Sequence, residues 1–459
     1  MIKTALPIFQ KDLEEEISMF SNAENLTIRH LFSDKGERVS NTIVIDGKKS
    51  YAFGNLMPKT EDEIERKRFL KRFSKLALYK ALSAYLNETF PWGSLTGIRP
   101  TKLAYQELKR CGEFKDFFID TMKVSIEKTI LTEEVLLSQK GIYEINDDNT
   151  DLFIFIPFCP TRCKYCSFIC TDIKSSEKYI KQYIDTLIKE IDDSAKYIKK
   201  LRSIYIGGGT PVSIPIKELE RLLQCVDKYN TGVEYTVEAG RPDVIDKEKL
   251  NLLKKYRVNR ICVNPQTFND KTLELIGRNH TAKEVVEKYL LAKDDFIINM
   301  DLIAGLTGEN FEDFKYSIDK AISLSPDNIT VHTLCIKKGS DLARKENRLK
   351  NVEIEKMIDY SYKVLKENGY MPYYLYRQKY MAGNLENVGY TKEGKACIYN
   401  VDTMEEIAST VACGANAICK RVYNGGERIE RSAPPKDVKT YLDSIEKIME
   451  EKDKLFKEK

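Results

Sequence analysis

Phe153-Ile154-Phe155-Ile156-Pro157-Phe158-Cys159-Pro160-Thr161-Arg162-Cys163-Lys164-Tyr165-Cys166 joins a strand-forming apolar run to three thiols at C-x3-C-x2-C spacing. Thiols this close on one loop suit three irons of a four-iron cluster, which leaves the fourth iron without a protein ligand and open to a small molecule. An open iron supports chemistry as well as electron storage. Structural zinc is the competing reading. It takes four ligands, usually two C-x2-C pairs or histidines, and His30, His280 and His332 all lie elsewhere in the sequence. Cys170 remains a candidate fourth zinc ligand, and buried unligated thiols are the plainest alternative.

Outward from this loop, short β-rich runs alternate with amphipathic helical stretches. The runs are 153–156, 203–206, 234–237, 260–263, 297–302 and 329–333, with helical periodicity over 177–199, 217–229 and 309–324 among the segments between them. About six βα units in succession predict an α/β fold with a parallel sheet, either curled into a partial barrel or opened into a doubly wound sheet. Functional groups then gather at the C-terminal ends of the strands.

The flanks read differently. Residues 1–148 predict an α+β domain, with a hairpin of 41–45 and 50–53 around Asp46-Gly47-Lys48-Lys49 and helices over 64–86, 101–109 and 132–139. Residues 149–345 form the repeating βα segment. Residues 346–459 predict a C-terminal α+β extension: a helix over 353–368, a strand-like run Tyr373-Tyr374-Leu375-Tyr376, a glycine-rich loop over 383–394, and a charged helix ending in Lys459.

At 459 residues the chain exceeds the size of one hydrophobic core. Lys and Arg number 74 against 70 Asp and Glu, and a net charge of +4 gives no support for nucleic-acid binding. No apolar run approaches the roughly 20 residues of a membrane span, and no secretory leader follows Met1, so a cytoplasmic protein is expected. Eleven cysteines make an odd number for a disulfide framework. Cys111, Cys225, Cys262, Cys335, Cys397, Cys413 and Cys419 are scattered, mostly in apolar contexts, as buried thiols in a reducing compartment would be.

A second signal, Ile206-Gly207-Gly208-Gly209-Thr210-Pro211, ends the next strand, where successive glycines let main-chain groups approach a ligand. Most glycine runs are only turns; this one follows a thiol loop and ends a strand. Glu238, Gln266, Arg278 and Asp301 occupy matching places after later strands. Each alone reads equally well as a cap or loop residue. Together they line one rim, where carboxylates and amides suit ribose hydroxyls and an amino group, and Arg278 suits a carboxylate.

Taken together, these residues resemble radical S-adenosylmethionine (SAM) enzymes of the oxygen-independent coproporphyrinogen III oxidase family, in its HemZ branch. Outside the central segment the resemblance is carried by Leu95-Thr96-Gly97-Ile98-Arg99-Pro100-Thr101-Lys102-Leu103, by Tyr374-Leu375-Tyr376-Arg377-Gln378-Lys379 and by Gly383-Asn384-Leu385-Glu386-Asn387-Val388-Gly389-Tyr390. It implies a partial β/α barrel. Cys159, Cys163 and Cys166 would hold a 4Fe-4S cluster, whose free iron would chelate SAM. Tyr165 would lie against the adenine and Gly208, Gly209 and Thr210 would meet the methionine end. Glu238, Gln266, Arg278 and Asp301 would complete the binding of one or two SAM molecules. The activity implied is radical oxidative decarboxylation of coproporphyrinogen III propionates to vinyl groups, giving protoporphyrinogen IX, with an electron donor and acceptor as further partners.

The sequence departs from that pattern at two points. A fourth cysteine, often found two residues after the third, is replaced by Phe168, with Cys170 displaced by two; and a tyrosine expected six residues before the first cysteine is Phe153. A related branch with the shortened motif handles heme, so a heme-binding or delivery protein is the alternative, as is a radical SAM enzyme acting on heme, a porphyrin or RNA. Four propionates call for arginine and lysine. Arg99, Lys102, Arg241 and Arg377 are the candidates for substrate contact, each weighed against a structural role. Trp92 reads as a packing residue.

Overall fold

The computed structural model describes residues 2–20, 23–95, 99–166, 170–335, 351–378, 381 and 384–457. Residues 96–98, Phe168, Lys379, Gly383, Lys459 and the boundary at 345/346 lie outside the described residues. The chain forms two compact units. One comprises Met1–Glu133 with Arg377–Glu386, the other Glu134–Tyr376 with Asn387–Lys459. Among the described residues no helix is long and apolar enough to cross a membrane.

The first unit holds a four-stranded sheet in the order β1 (Ile2–Thr4), β2 (Ile28–Asp34), β3 (Arg38–Ile45), β4 (Lys49–Leu56). Strand β3 alternates, with Val39, Asn41, Ile43 and Ile45 buried. That period of two fixes its inward face. Asp46 and Gly47 both take positive φ (52° and 66°) in the β3–β4 turn, the geometry that Asp-Gly favours in a tight hairpin. Helices α1 (Gln10–Ile17) and α2 (Glu63–Leu86) cover the sheet, packing Leu13, Ala77, Leu78, Ala81 and Leu82 onto Ile43 and Ile45. Each such leucine or isoleucine contributes about 1.5–3 kcal/mol by burial. Asp62 caps α2 by accepting from the Ile64 N–H. Helices α3 (Pro100–Cys111) and α4 (Ile126–Ser138) follow.

The second unit is built on an eleven-stranded sheet. Its parallel heart runs β5 (Asn149–Ile156), β8 (Lys200–Gly208), β9 (Glu234–Val237), β10 (Arg260–Cys262), β11 (Ile297–Ala304) and β12 (Asn328–Thr333), all neighbours in that order. Two short strands of the cysteine region, β6 (Phe158–Cys159) and β7 (Thr171–Asp172), pair separately. Helices α5 (Ile173–Ser194), α6 (Ile216–Asp227), α7 (Lys247–Lys255), α8 (Asp270–Leu275), α9 (Ala282–Ala292), α10 (Phe311–Leu324) and α11 (Asn351–Glu367) intervene between strands. In α5, Ile180, Tyr183, Ile184, Leu187 and Ile191 are buried at helical spacing. Strands buried on both faces read as continuous apolar runs, which is why β5 carries Leu152, Ile154, Phe155 and Ile156 in succession. The fold is the expected α/β partial barrel, a sheet with the strands Met371–Tyr376 and Arg428–Ser432 at its two ends.

The C-terminal segment extends this same sheet. Beyond β12 lie β14 (Asn387–Thr391) and β13 (Met371–Tyr376), both antiparallel. Beyond β5 lies β15 (Ser409–Cys413), parallel, and then β16 (Cys419–Tyr423) and β17 (Arg428–Ser432). Strand β14 corrects the expectation of a glycine-rich loop over 383–394. A Cβ on Gly389 would lie 1.8 Å from Cε1 of Tyr374, so this strand needs a glycine where the neighbouring ring lies across it. Helix α12 (Ile398–Glu405) crosses the amino ends of the parallel strands. Glu234 Oε2 and Oε1 accept from the Ile398 and Tyr399 N–H groups (3.0 and 3.1 Å), and Arg202 Nε and Nη2 donate to Asp402 (2.6 and 2.9 Å). Helices α13 (Val438–Asp443) and α14 (Ile445–Phe456) close the chain. They are tied to α5 by Glu190, which accepts from the Tyr441 hydroxyl (2.5 Å) and pairs with Lys452 (2.8 Å).

Candidate functional site

The cysteine loop leaves the carboxyl end of β5, as the sequence predicts. Cys159, Cys163, Cys166 and Cys170 are half-buried and form no disulfide. The Cys166 N–H closes a turn on the Cys163 carbonyl (3.1 Å). Among the described residues no three His, Cys, Asp or Glu side chains gather as a single-ion site requires. A four-iron cluster makes a different demand, one thiolate for each of three irons, and the loop offers that donor set.

The triple-glycine segment at the end of β8 packs directly on this loop. The Gly209 N–H donates to the Ile156 carbonyl (2.7 Å) and the Thr210 N–H to that of Phe158 (2.8 Å). A Cβ on Gly209 would stand 2.5 Å from the Phe158 oxygen and 3.0 Å from Cys159 Sγ, and Gly208 takes φ 110°. The glycines are thus required by the close approach of two main chains. The Thr210 hydroxyl donates to Cys159 Sγ (3.6 Å). A hydrogen bond from the Cys170 thiol, opposed by burial and helped by Thr210, Arg241 and Arg278, lowers the affinity of Cys159 for its proton. The same contact with Cys159 raises that of Cys170.

Glu238, just beyond β9, is bound to this corner. Its Oε1 accepts from the Tyr205 hydroxyl (2.6 Å) and its Oε2 from the Gly208 N–H (3.2 Å). Burial, which outweighs the Tyr205 hydrogen bond and is reinforced by Asp301, pushes its carboxyl up to about 7. Phe153, in register with Tyr205, stacks on Tyr399 at 5.9 Å and 15°, and Tyr205 stacks on Tyr399 at 4.2 Å.

On the far side of the loop, Tyr165 packs on Leu273, Ile276, Ile303, Leu306 and Leu334. Its hydroxyl accepts from Arg278 Nη2 (3.0 Å) and Nε (3.3 Å). Arg278 is buried, and its Nη1 has no hydrogen-bond partner. A buried bare guanidinium nitrogen is costly unless an anion meets it. Gln266 holds φ 66°, its N–H donating to the Asp301 carbonyl (2.9 Å) while its own carbonyl accepts from the Ile303 N–H (3.0 Å). The Asp301 carboxylate accepts from Asn264 Nδ2 and Asn299 Nδ2 (both 2.7 Å) and stands 3.7 Å from His332 Nε2. Burial raises its pKa, but His332 and Asn299 outweigh that effect and leave it below the ordinary value.

Sequence reasoning missed several members of this rim. Tyr205, Asn264, Asn299 and His332 have no motif of their own; the one available signal was their place near strand ends. His332 Nδ1 lies 3.4 Å from the Tyr376 hydroxyl, so a phenol, an imidazole and Asp301 stand in series.

The four candidates for substrate contact do not share one environment. Arg241 is buried, with Nε and Nη2 on Asp243 (3.0 and 2.9 Å) and Nη1 on the hydroxyl and carbonyl of Thr161 (2.8 and 3.1 Å). Arg377 belongs to the first unit, also buried. Its three nitrogens donate to the carbonyls of Leu385, Leu95 and Asn384, and it lies over the Trp92 ring at 5.3 Å. Trp92 is a packing residue, as expected, its indole donating to Glu386 (2.6 Å). Arg99 and Lys102 are half-buried at the start of α3, in the first unit. The guanidinium groups of Arg241 and Arg377 are therefore engaged inside the protein.

The residues present fit the two groups inferred from sequence: a thiol trio for a cluster, and, for SAM, a bare buried cation with carboxyl groups on the same rim. The radical SAM superfamily profile matches residues 153–321. The chain is 38% identical over 398 residues to the oxygen-independent coproporphyrinogen-III oxidase-like protein HemZ of Bacillus subtilis (strain 168), covering 82% of this chain and 79% of that protein. It is 35% identical over 234 residues to the heme chaperone HemW of Lactococcus lactis subsp. lactis (strain IL1403), covering 48% of this chain and 60% of that one. Among solved structures it resembles coproporphyrinogen III oxidase (HemN) from Escherichia coli, a radical SAM enzyme, with TM-score 0.52 and 20% identity over 70% of this chain and 72% of that chain. The chain thus belongs to the radical SAM superfamily, in the family of coproporphyrinogen-III oxidase-like proteins that includes HemZ, and its cofactors are a 4Fe-4S cluster and SAM.

Proposed function

We propose that the protein is an oxygen-independent coproporphyrinogen III oxidase, converting two propionates to vinyl groups. The observation that carries this reading is the likeness to HemZ, which extends over 398 residues, far beyond the 153–321 of the superfamily profile. In this reading Cys159, Cys163 and Cys166 hold the cluster, and Tyr165, Gly208, Gly209, Thr210, Glu238, Gln266, Arg278 and Asp301 bind SAM. When bound, the reduced cluster and SAM would supply abstraction of a hydrogen atom from a propionate, which would then lose carbon dioxide and pass one electron to an external acceptor.

The chain's own residues bind and orient. Arg278, its Nη1 bare, meets the SAM carboxylate through a charge-assisted pair. Glu238 accepts from the SAM ammonium, whose positive charge favours the ionised carboxyl and offsets the effect of burial. Asp301, held ionised by its neighbours, accepts from a ribose hydroxyl. Tyr165 offers a flat ring on an apolar bed to the adenine. Of the four candidates for propionates, Arg241 and Arg377 already serve internal partners.

A second reading, a heme-handling protein that keeps the cluster without this turnover, is favoured by the likeness to heme chaperones. Anaerobic incubation of the reconstituted protein with SAM, dithionite and coproporphyrinogen III separates the two. The oxidase reading expects vinyl products by mass spectrometry. Tight heme binding with no vinyl product rejects it.

A further inference from the structure

We propose that Arg241 is a positioning residue for the cluster, a clamp that sets the separation of Cys159 and Cys163 before iron arrives. The inference rests on the cysteine ligand assignment proposed above. Thr161 lies between those two cysteines, and Arg241 Nη1 holds both its hydroxyl (2.8 Å) and its carbonyl (3.1 Å). The other face of the guanidinium is locked by a two-point pair with Asp243, which itself follows β9. Only 4% of Arg241 is exposed. A buried ion pair costs desolvation and is weak evidence for stability by itself. What this one accomplishes is a fixed span from the β9 end to the middle of the thiol loop, which a rigid fork of donors makes and a lysine cannot.

The second half of the loop is held in the same way. Lys164 donates its N–H to the Ile276 carbonyl (2.9 Å) and its Nζ to that of Leu275 (2.7 Å), while Tyr165 is engaged by Arg278. Each interval between successive cysteines is therefore tied to a later connection of the barrel, the first to the segment after β9 and the second to the end of α8 and the residues that follow it. The loop's ordering entropy is already lost in the folded protein, so it is not charged against cluster binding.

The test compares wild type with Arg241→Met, Arg241→Lys and Thr161→Val, all reconstituted anaerobically with iron and sulfide. Iron release to a chelator is followed, and electron paramagnetic resonance of the reduced cluster is recorded with and without SAM. Arg241→Met is expected to release iron about tenfold faster or more, the scale typical of losing a group that orients metal ligands from outside. Arg241→Lys does not restore the wild-type rate, and Thr161→Val shifts it in the same direction by less. The clamp also predicts that the SAM-induced spectrum of Arg241→Met becomes heterogeneous, which a loss of global stability alone would not produce. Wild-type release and a wild-type spectrum in Arg241→Met and Thr161→Val overturn the proposal. If Arg241→Met does not fold, the same result in Thr161→Val alone overturns it. Wild-type protein that takes up no iron refutes the ligand assignment itself, whereas failure of the clamp leaves wild-type loading intact.

Discussion

The two ends of the parallel strands treat polar groups in opposite ways. At the amino ends, Asp402 is forked by Arg202, Glu234 caps α12, and Arg260 donates to the carbonyls of Lys395 and Ala396 (3.0 and 3.1 Å). Most charged groups there serve one another and the main chain, although Arg260 Nε and Asp151 Oδ2 have no hydrogen-bond partner. At the carboxyl ends, thiols stand half-exposed, Glu238 is pushed up to about 7, and Arg278 keeps a bare nitrogen. One sheet thus has a floor crossed by its own C-terminal segment, where most charges are paired, and a mouth where a bare guanidinium nitrogen and a raised carboxyl stand beside the thiol loop. Groups kept short of partners at a stability cost are what a ligand site needs.

The comparison breaks first at the floor. Asp402→Ala leaves Arg202, whose side chain is 10% exposed, with only Glu144 and the Ile142 carbonyl, and about 1.5–3 kcal/mol of stability should be lost. Urea unfolding measures this, and iron bound per folded molecule should stay at the wild-type value. At the mouth the pattern reverses. Glu238→Gln should weaken SAM binding by about 1.5–3 kcal/mol, the worth of a hydrogen bond to a charged group, with little change in melting temperature. Calorimetric titration of the reconstituted protein reads that loss. Gly389→Ala, distant from both ends in role, should destabilise by about 1–3 kcal/mol through overpacking against Tyr374, seen in thermal melts.

The smallest effect concerns pH. Burial first, then Asp402, pushes the Asp151 carboxyl up, and burial likewise raises Asp402. A carboxyl whose folded pKa is raised holds its proton longer in the folded state, so the folded form binds more protons above the ordinary carboxyl range near 4, and stability falls as pH rises from there. Asp151→Asn should flatten that fall while matching wild type below about pH 4. Unfolding free energies across a pH series give the answer.

Much of this was legible in the sequence because apolar periodicity is strong where strands are buried on both faces. All six predicted parallel strands formed, 234–237 with unchanged ends. The thiol loop and the glycine run were equally plain, being contiguous. Strand β14 was not, because Gly389 breaks the strand pattern for a reason that lies fifteen residues away in the Tyr374 ring. Arg241 and Arg377 stand among the candidates for substrate contact because sequence shows a charge without showing what already satisfies it. Thr161, eighty residues from Arg241, and the carbonyl of Leu95 carry no sequence signal as acceptors. His332 was passed over because its partner Asp301 lies on the neighbouring strand.

The thiol loop is the centre of the account, and its metal content tests it most directly. Wild type and Cys163→Ala are reconstituted anaerobically with iron and sulfide, assayed for both, and then given SAM and dithionite. Wild type should hold about four irons per chain and form 5′-deoxyadenosine, while Cys163→Ala, folded by circular dichroism, should lose the cluster's brown colour and form none. Equal iron and equal deoxyadenosine in the two proteins, or a wild type that takes up zinc and refuses iron, would contradict it.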